Sequence, residues 1–511
     1  MYIIEIFMGA QAMLPRLIRN CVALLALAGS LSAQAARPDP SRIERGLRTL
    51  VRLAGREDTT FDIRDRMKQY HVPGLSIAVV EGDRVVWARG YGVMEFGKSE
   101  PVDTSTLFLA GSISKPVFAS GVLALVEQGK LALDEDINLK LRSWKLPDSR
   151  FTATEKVTLR RLLTHSAGLT VWGFPGYEAT GPVPTVPQLL DGEKPANTPA
   201  VRNDTTPGAF WRYSGGGFTI AQLMSTDVTG ETFPALMQRL VLKPARMPHS
   251  TFENPPPSNL ARYAASGHER VDTPVPGRFH VYPEMAAAGL WTTAPELARW
   301  GIAISRAWKG ERGGPLSPAM TRQMLTPQVK LAPPYGGPNS WWGLGVEVRG
   351  EGDTLMFSHG GRDEGFVAQF YMWPASGRGL VIMMNGVNGG LLGEISRAFD
   401  AEYGTHLSPP RPEKVATTVD PASLGAYAGR YFLQANPDSV FLDIRGDGKS
   451  LYGRNTQSRI ERALLPQGPD SFFDRETGSE WTFERNPTTQ EVEALIRVVG
   501  TNRTRAVRQR E

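Results

Sequence analysis

Cysteine is nearly absent from this sequence, which has only one, Cys21, in 511 residues. That cysteine lies in an N-terminal segment that is predicted below to be cleaved, so the remaining chain would contain no thiol. Disulfides, thiolate–zinc sites and cysteine nucleophiles are therefore excluded. Their absence is compatible with export, because a chain of this length can bury a core large enough to fold without cross-links.

Strong charge of one sign is also missing. The sequence has 57 Lys and Arg against 52 Asp and Glu, a formal net charge of +5. Without residues 1–35, which contain Arg16, Arg19 and Glu5, the balance is 55 against 51, or +4. Nucleic-acid-binding proteins usually carry a concentrated basic patch, and the basic run from Arg503 to Arg510 is more simply a solvated tail or a last strand. No nucleic-acid partner is predicted.

A long apolar run lies near the N-terminus, from Cys21 to Leu31. Basic Arg16 and Arg19 precede it and small residues at Ala33 to Ala35 follow it, the order typical of a secretory signal peptide over residues 1–35. The alternative is a membrane anchor, but a bilayer span needs roughly 20 apolar residues. We therefore predict cleavage after this segment, no stable membrane span afterwards, and a periplasmic or secreted protein.

Recognised metal-ligand spacings are missing as well. His268 lies in a Gly-His-Glu-Arg segment without the second histidine of a zinc protease, and His165 lies in Thr-His-Ser, so both are interpreted as structural. The segment Gly92–Ser99 matches the phosphate-binding pattern Gly-x4-Gly-Lys-Ser, but Glu100 and Pro101 follow where that site requires a helix. No metal, nucleotide or other cofactor is predicted.

Among the residues present, Ser112 and Lys115 are the most informative, a Ser-x-x-Lys pattern that follows Gly111. Apolar residues recur at helical spacing from Val117 onward, so the serine and the lysine are predicted on one face of a first helical turn. There the amine can meet the hydroxyl, and the helix dipole favours a lysine that releases its proton. The pattern indicates a nucleophile with its own base, although an ordinary helix N-terminus can also contain it.

Two later motifs, Tyr213–Gly215 and His359–Gly361, follow this pattern along the chain. With Ser112 and Lys115 they have the order and approximate spacing of the three active-site motifs of the serine β-lactamase and penicillin-binding-protein superfamily. The sequence most resembles the class C-like branch, which also contains esterases, D-aminopeptidases and D,D-peptidases. The resemblance covers most of residues 60–405.

This resemblance implies a set of catalytic roles. Ser112 would attack an acyl carbonyl and form an ester intermediate, and a neutral Lys115 would accept its proton. Tyr213 would relay a proton between Lys115 and the leaving group. The backbone N–H groups of Ser112 and Arg362 would form the oxyanion hole, and His359 would support the substrate.

Three glycines, Gly215, Gly360 and Gly361, are implied to contact the substrate. The pair Gly360 and Gly361 would let the substrate lie against an exposed strand edge. Gly215 replaces the usual asparagine of the superfamily, whose amide holds the substrate acyl group. His359 replaces the lysine that helps its β-lactamases bind the β-lactam carboxylate. Both departures argue against an efficient β-lactamase.

The strand pattern predicts an α+β fold in two parts. A hairpin predicted over residues 75–90 and three strands predicted over 354–359, 366–373 and 380–384 flank a long helical middle. This arrangement agrees with the antiparallel sheet and helical lobe of the β-lactamase/transpeptidase-like fold. The Pro-rich segment 406–422 is predicted to link a hydrolase domain, 37–405, to short strands over 423–511. Those strands indicate a small antiparallel barrel resembling the lipocalin-like domain of some family members, either a ligand holder or a lid or packing module.

The sequence therefore predicts an exported serine hydrolase. Its substrate would be a small ester, an amide or D-amino-acid peptide, or a cell-wall peptide, since all share one acyl-transfer chemistry. A true β-lactamase or D,D-carboxypeptidase is one alternative. Another is a sensor or binding protein that its ligand acylates without turnover.

Overall fold

The fold described here is that of the compact unit Pro40–Glu511. The predicted signal peptide, residues 1–35, lies outside the described residues. The computed structural model describes residues 38–270, 272–333, 335–337, 339–433, 441–456 and 459–509. Within these ranges no helix has the length and apolar character needed to cross a bilayer. In the same ranges no group of three or more His, Cys, Asp or Glu side chains is placed to hold a metal ion.

Helices and strands are numbered in chain order. The strands before the C-terminal barrel are β1 (Arg52–Leu53), β2 (Gly74–Glu81), β3 (Arg84–Gly92), β4 (Phe108–Leu109), β5 (Tyr177–Glu178), β6 (His268–Arg270), β7 (Thr273–Pro274), β8 (His280–Val281), β9 (Trp291–Thr292), β10 (Val329–Lys330), β11 (Ser340–Trp342), β12 (Glu347–Arg349), β13 (Met356–Asp363), β14 (Phe366–Trp373), β15 (Arg378–Met384) and β16 (Glu413–Lys414). The α-helices are α1 (Ile63–Tyr70), α2 (Ser114–Glu127), α3 (Leu159–Leu163), α4 (Val186–Asp191), α5 (Gly215–Thr229), α6 (Phe233–Met237), α7 (Ser258–Ala261), α8 (Met285–Ala288), α9 (Ala294–Trp308), α10 (Pro318–Met324) and α11 (Gly390–Tyr403).

An eight-stranded antiparallel sheet, in the order β10-β11-β12-β13-β14-β15-β2-β3, forms the centre of the part that precedes the C-terminal barrel. The hairpin β2–β3 from the start of the chain joins the later strands through β2, where Ala78 pairs with Val381 of β15. The prediction of a sheet assembled from both ends of this region is confirmed.

Strand β13 differs from its predicted bounds. Residues Gly352–Thr354 form a 3-10 turn, and the strand runs from Met356 to Asp363 instead of ending at His359. Glycines are poor strand formers, so the sequence pattern predicts too early an end. Pairing with β14, in which Gly360 is the partner of Gln369, holds the glycines in the sheet.

The side chains of β2 alternate between two cores, one on each face of the sheet. Ala78 and Val80 belong to the larger cluster, which also contains the residues of α2 and α9. Ile77 and Val79 belong to a second cluster with residues of α1 and α11. Helices thus cover both faces, which explains why β2 is buried along nearly its whole length.

Helix α2 is the central element of the helical lobe. Every residue from Ser114 to Leu125 is buried, so this helix is enclosed on all sides by other elements. Helix α5 begins after Ser214, whose side chain accepts the N–H of Gly217 at 3.1 Å as an N-cap. This cap fixes the start of α5 and with it the position of Tyr213, which immediately precedes Ser214.

The C-terminal part is a closed barrel of eight strands, which confirms the predicted antiparallel barrel. Side chains fill its interior, including Tyr431, Phe472, Trp481 and Leu495. The interior is thus a packed core in the described residues. The strands are β17 (Gly429–Leu433), β18 (Phe441–Gly446), β19 (Leu451–Asn455), β20 (Glu461–Gly468), β21 (Ser471–Asp474), β22 (Glu480–Arg485), β23 (Val492–Val499) and β24 (Asn502–Arg508).

The barrel contacts the larger N-terminal part on the side of its sheet that carries α1 and α11. Phe473 of the barrel packs in one buried cluster with Val51 and Leu53, and β1 pairs in parallel with β16. Glu476 of the barrel lies 3.5 Å from Arg66 in α1. The segment predicted as a linker, 406–422, therefore includes a strand and takes part in this contact.

Candidate active site

Ser112 and Lys115 lie where the chain enters α2. Gly111–Ile113 form a 3-10 turn that continues directly into the helix, which places the two side chains on one face. The ammonium nitrogen of Lys115, Nζ, donates to Ser112 Oγ at 2.9 Å and to the Ala287 carbonyl of α8 at 2.8 Å. Lys115 is 2% exposed, whereas Ser112 is half-buried and open to a cavity.

Burial decides the charge state of Lys115. Desolvation disfavours the ammonium form and lowers the pKa of Lys115 to about 7, although the carboxyl of Asp363 acts in the opposite direction. The rings of Tyr213 and Phe218 stand 4.9 and 5.8 Å from Nζ. The amine can therefore exchange a proton near neutral pH, beside a hydroxyl in hydrogen-bond contact.

Tyr213 lies on the other side of this pair. Burial raises the pKa of Tyr213, and a hydrogen bond with the Ser112 side chain acts against that rise. The phenol is consequently protonated at neutral pH. The ring of His165 lies 4.2 Å from the ring of Tyr213, and His165 Nδ1 accepts the N–H of Ser214 at 3.1 Å.

Strand β13 approaches the Ser112 turn so closely that side chains are excluded. A Cβ on Gly361 would lie 1.9 Å from the Ala110 carbonyl oxygen, and a Cβ on Gly111 would lie 2.4 Å from the nitrogen of Arg362. Gly111 also has φ = 54°, which favours glycine. Because of this contact, the backbones of Ser112 and Arg362 lie on neighbouring segments, as an oxyanion hole requires.

His359 lies in the same cavity as Ser112, and its ring packs 6.3 Å from Tyr213 and 5.4 Å from Trp342. Burial, and next the charge of Lys115, lower the pKa of His359 to about 3. The imidazole is therefore neutral at physiological pH. Its Nδ1 lies 2.6 Å from the Gly360 carbonyl oxygen, and its Nε2 is buried without a hydrogen-bond partner in the described residues.

Gly215 is the first residue of α5, and an aromatic ring occupies the space beside it. A Cβ on Gly215 would lie 2.9 Å from Phe174 Cε2 and 3.2 Å from the Trp172 carbonyl oxygen. At this point the cavity is lined by Phe174 and Trp172. The missing side chain of Gly215 is thus replaced by an apolar surface from another segment.

A cavity of about 560 Å³ joins these groups. It brings together the predicted residues of all three motifs except Gly215, which lies behind Phe174. The lining includes Ser112, Lys115, Tyr213, His359, Gly360, Gly361, Arg362, Asp363, Trp172, Phe174, Trp211, Tyr335, Trp342, Glu347 and Gln369. No described residue of the barrel is in this lining.

Two buried carboxyl groups were not identified from the sequence, and one of them, Asp363, interacts with Lys115. Asp363 accepts a hydrogen bond from the backbone of Gly111, its other oxygen has no partner among the described residues, and burial raises its pKa well above the ordinary range. Glu284, which precedes α8, is fully buried with neither oxygen hydrogen-bonded in the described chain, and burial raises its pKa to about 8. Neither acid stands in a recognisable motif, so only the fold reveals them.

Other residues considered from the sequence lie outside the cavity. The ring nitrogens of His268 contact backbone groups, Nδ1 at 2.7 Å from the Asn385 carbonyl and Nε2 at 3.0 Å from the N–H of Phe96, which is a structural role. In the segment Gly92–Ser99, Lys98 forms an ion pair with Glu95 at 2.9 Å, and no helix begins there. His165 is also outside the cavity lining, but it packs against Tyr213, a proximity that the sequence did not indicate.

Three features define the class of this protein. They are an antiparallel sheet with a helical lobe, a serine and a lysine in one helical turn, and a tyrosine within reach of both. It is a member of the β-lactamase and penicillin-binding-protein superfamily. The chain belongs to the Beta-lactamase family, whose sequence profile matches residues 62–404. The resemblance inferred from the motifs is therefore confirmed.

Individual relatives are distant. The chain is 27% identical over 230 residues to Esterase EstB of Burkholderia gladioli, covering 44% of this chain and 57% of the relative. It is 27% identical over 255 residues to a Beta-lactamase of Providencia stuartii, covering 48% and 61%. It is 24% identical over 365 residues to Unguisins hydrolase ungD of Aspergillus violaceofuscus, covering 63% and 60%. The chain thus spans about three fifths of the length of these curated relatives.

Solved structures with low sequence identity share the fold. The octameric penicillin-binding protein homologue from Pyrococcus abyssi matches with a TM-score of 0.57 at 20% identity, covering 86% of this chain and 97% of that one. The penicillin binding protein from Bacillus halodurans matches with a TM-score of 0.53 at 20% identity, covering 67% and 99%. These neighbours confirm the predicted fold class.

Proposed function

We propose that this protein hydrolyses neutral esters through a serine acyl-enzyme, with Ser112 as the nucleophile. One observation carries the proposal, the 2.9 Å hydrogen bond between Lys115 Nζ and Ser112 Oγ. The lysine is buried and its pKa is lowered to about 7, so that near neutral pH about half of the amines are unprotonated. An unprotonated amine in this position is a general base for the serine.

The reaction would proceed in two stages. Lys115 takes the hydroxyl proton as Ser112 Oγ bonds to the acyl carbon, and the backbone N–H groups of Ser112 and Arg362 stabilise the oxyanion. The bond to the leaving alcohol then breaks, and Tyr213 passes the proton to the alcohol oxygen. Water then attacks the acyl carbon of the ester on Ser112 and gives a proton to the same base. The bond between Ser112 Oγ and the acyl carbon breaks, the base returns the proton to Oγ, and the carboxylic acid is released.

The surroundings of the nucleophile support an ester over a β-lactam. His359 is neutral at physiological pH, because its pKa is lowered to about 3, so it supplies no positive charge for a substrate carboxylate. Phe174 stands beside Gly215 and offers an apolar surface without an amide. Relatives named as an esterase and as a Beta-lactamase are compatible with this chemistry. Peptide and cell-wall peptide substrates use the same steps and remain alternatives to be screened.

Export to the periplasm or the exterior belongs to the same proposal. Its support is the order of basic, apolar and small residues in segment 1–35. Fractionation of the native host, followed by N-terminal sequencing of the protein, would test it. Recovery of uncleaved protein in the cytosol would contradict it.

The nucleophile is tested by labelling with a fluorophosphonate probe. Wild-type protein should be labelled, Ser112→Ala should not, and the control Ser105→Ala, which changes a half-buried serine outside the cavity, should be labelled normally. Intact-protein mass spectrometry during ester turnover then separates an enzyme from a sensor, since persistent mass gain would indicate acylation without turnover. Labelling of Ser112→Ala would remove the central assignment.

Substrate preference is tested by comparing p-nitrophenyl acetate with nitrocefin. A β-lactam would lack one hydrogen bond to an amide and one charge-assisted contact to its carboxylate, each worth roughly 1–3 kcal/mol. The expected kcat/KM for the ester is at least about 10²-fold that for nitrocefin. Nitrocefin hydrolysis as fast as ester hydrolysis would restore the β-lactamase assignment.

A further inference from the structure

Large aromatic side chains border the nucleophile on one continuous surface, which we call the aromatic wall: Trp172, Phe174, Trp211, Tyr335 and Trp342. All five line the cavity that contains Ser112. The ring of Trp211 lies 5.0 Å from Tyr335 and 5.7 Å from Trp342, and Trp172 lies 5.4 Å from the ring of Tyr213. Tyr213 therefore joins the two ends of the wall.

Two members of the aromatic wall expose most of their surface. Trp172 is 66% exposed and Tyr335 is 60% exposed, although both are large and apolar enough to gain from burial. A single exposed aromatic residue on a protein surface is ordinary. Two that face the same cavity, next to a serine nucleophile, indicate a surface that is buried when substrate binds.

Several charged groups at or beside the same cavity have contacts within the protein. Arg362 Nη2 donates to the Val387 carbonyl at 3.1 Å, and Arg349 contacts Glu347 at 3.4 Å. The carboxyl of Asp363 accepts a hydrogen bond from the backbone of Gly111. Beside these groups, the rings of the aromatic wall are the largest apolar side chains that the cavity offers to a ligand.

Glycine at position 215, in place of the asparagine usual in the superfamily, lets the aromatic wall include Phe174. Any side chain at this position would meet Phe174 Cε2 at 2.9 Å, so glycine is what allows the phenyl ring to stand there. Phe174 follows Trp172 by two residues, and both rings are thus brought to the cavity by one loop. The wall is built by this loop together with the segments that contain Trp211 and Trp342.

We propose that the aromatic wall binds a planar aromatic group of the substrate, so that the preferred substrates are esters with an aryl group on the acyl or the alcohol side of the scissile bond. This inference rests on the proposed ester hydrolase function. Stacking on rings of the wall would add binding that a small aliphatic ester cannot obtain.

Two matched pairs of esters test this proposal in a pH-stat. Ethyl phenylacetate against ethyl acetate varies the acyl group, and benzyl acetate against ethyl acetate varies the alcohol. Each kcat/KM is divided by the rate constant for hydroxide-catalysed hydrolysis of the same ester, which removes differences in intrinsic reactivity. The expected result is a gain of at least about 10-fold for the aryl ester in one pair, equal to about 1.4 kcal/mol.

Substitutions in the aromatic wall test whether the wall causes the higher kcat/KM for the aryl ester. Trp172→Ala should reduce the ratio of the corrected kcat/KM for the aryl ester to that for ethyl acetate to below about 3-fold. Because both rates come from the same variant, this ratio is insensitive to a general loss of activity. The control is Phe210→Ala, since Phe210 is 51% exposed but is not part of the cavity lining; it should leave both rates and the ratio unchanged.

The outcomes separate this proposal from the one on which it rests. A labelled Ser112 with ester turnover, but an aryl-to-alkyl ratio near one in both pairs, would overturn the substrate preference alone. An unchanged ratio in Trp172→Ala would do the same. Absence of labelling and of turnover of every ester would overturn the proposed function, and this inference with it.

Discussion

Acidification tests the assignment of Lys115 as the general base. Burial lowers the pKa of Lys115 from its ordinary value of 10.5 to about 7. At 1.36 kcal/mol per unit, this means that the site disfavours the protonated amine by about 5 kcal/mol. Catalysis needs the neutral amine, so activity should rise as pH increases through about 7 and should be lost below it.

The size of the effect follows from the neutral fraction. With a pKa of about 7, roughly 1% of the amines are neutral at pH 5 and nearly all at pH 9, so kcat/KM should change about 100-fold between them. The assay is the pH dependence of kcat/KM for p-nitrophenyl acetate, with Ser112→Ala as the blank at each pH. A profile that is flat from pH 5 to 9, or an inflection near 10, would refute the reasoning.

Neighbouring titratable groups supply an internal check. The pKa of His359 is lowered to about 3 and that of Tyr213 is raised, so neither changes charge between pH 5 and 9. The carboxyl of Asp363 raises the pKa of Lys115, so Asp363→Asn should move the inflection to lower pH while keeping an acceptor for the Gly111 N–H. Glu284→Gln is the matched control and should leave the inflection of Lys115 in place.

Two further predictions concern packing. Gly361→Ala should lower kcat/KM by at least about 10²-fold, because its Cβ would lie 1.9 Å from the Ala110 carbonyl oxygen and would separate β13 from the Ser112 turn. The control is Gly389→Ala, since the space beside Gly389 is open. Near-normal activity of Gly361→Ala would contradict the proposed contact. Glu394→Gln should reduce the free energy of unfolding by about 1–3 kcal/mol, because it replaces one of the two carboxylates beside the buried Arg66 guanidinium with a neutral amide and leaves only Glu476, 3.5 Å away. Urea denaturation measures this, and an unchanged midpoint would show that the ion pair contributes nothing.

Local patterns in the sequence were sufficient for the main elements of the fold. The prediction for β14, residues 366–373, agrees with the structure at both ends, and the hairpin predicted around residues 75–90 is β2–β3. Short, nearly continuous apolar runs bounded by turn residues predict strands such as β2 and β14, which are buried on both faces. The closed barrel was also predicted from short strands and turns, although β20, residues Glu461–Gly468, was not.

Helical spacing likewise determined the contact between Ser112 and Lys115, because residues three apart share a helix face whatever surrounds the helix. The rest of the site depends on segments that are distant along the chain and brought together by packing. Phe174 fills the space beside Gly215, His165 packs against Tyr213, and the carboxyl of Asp363 accepts the Gly111 N–H. No local pattern encodes these neighbours, since each results from how the helical lobe and the sheet meet. The sequence alone thus determined which groups can react, and the tertiary structure decided their burial, and with it their charge and the apolar surface they present.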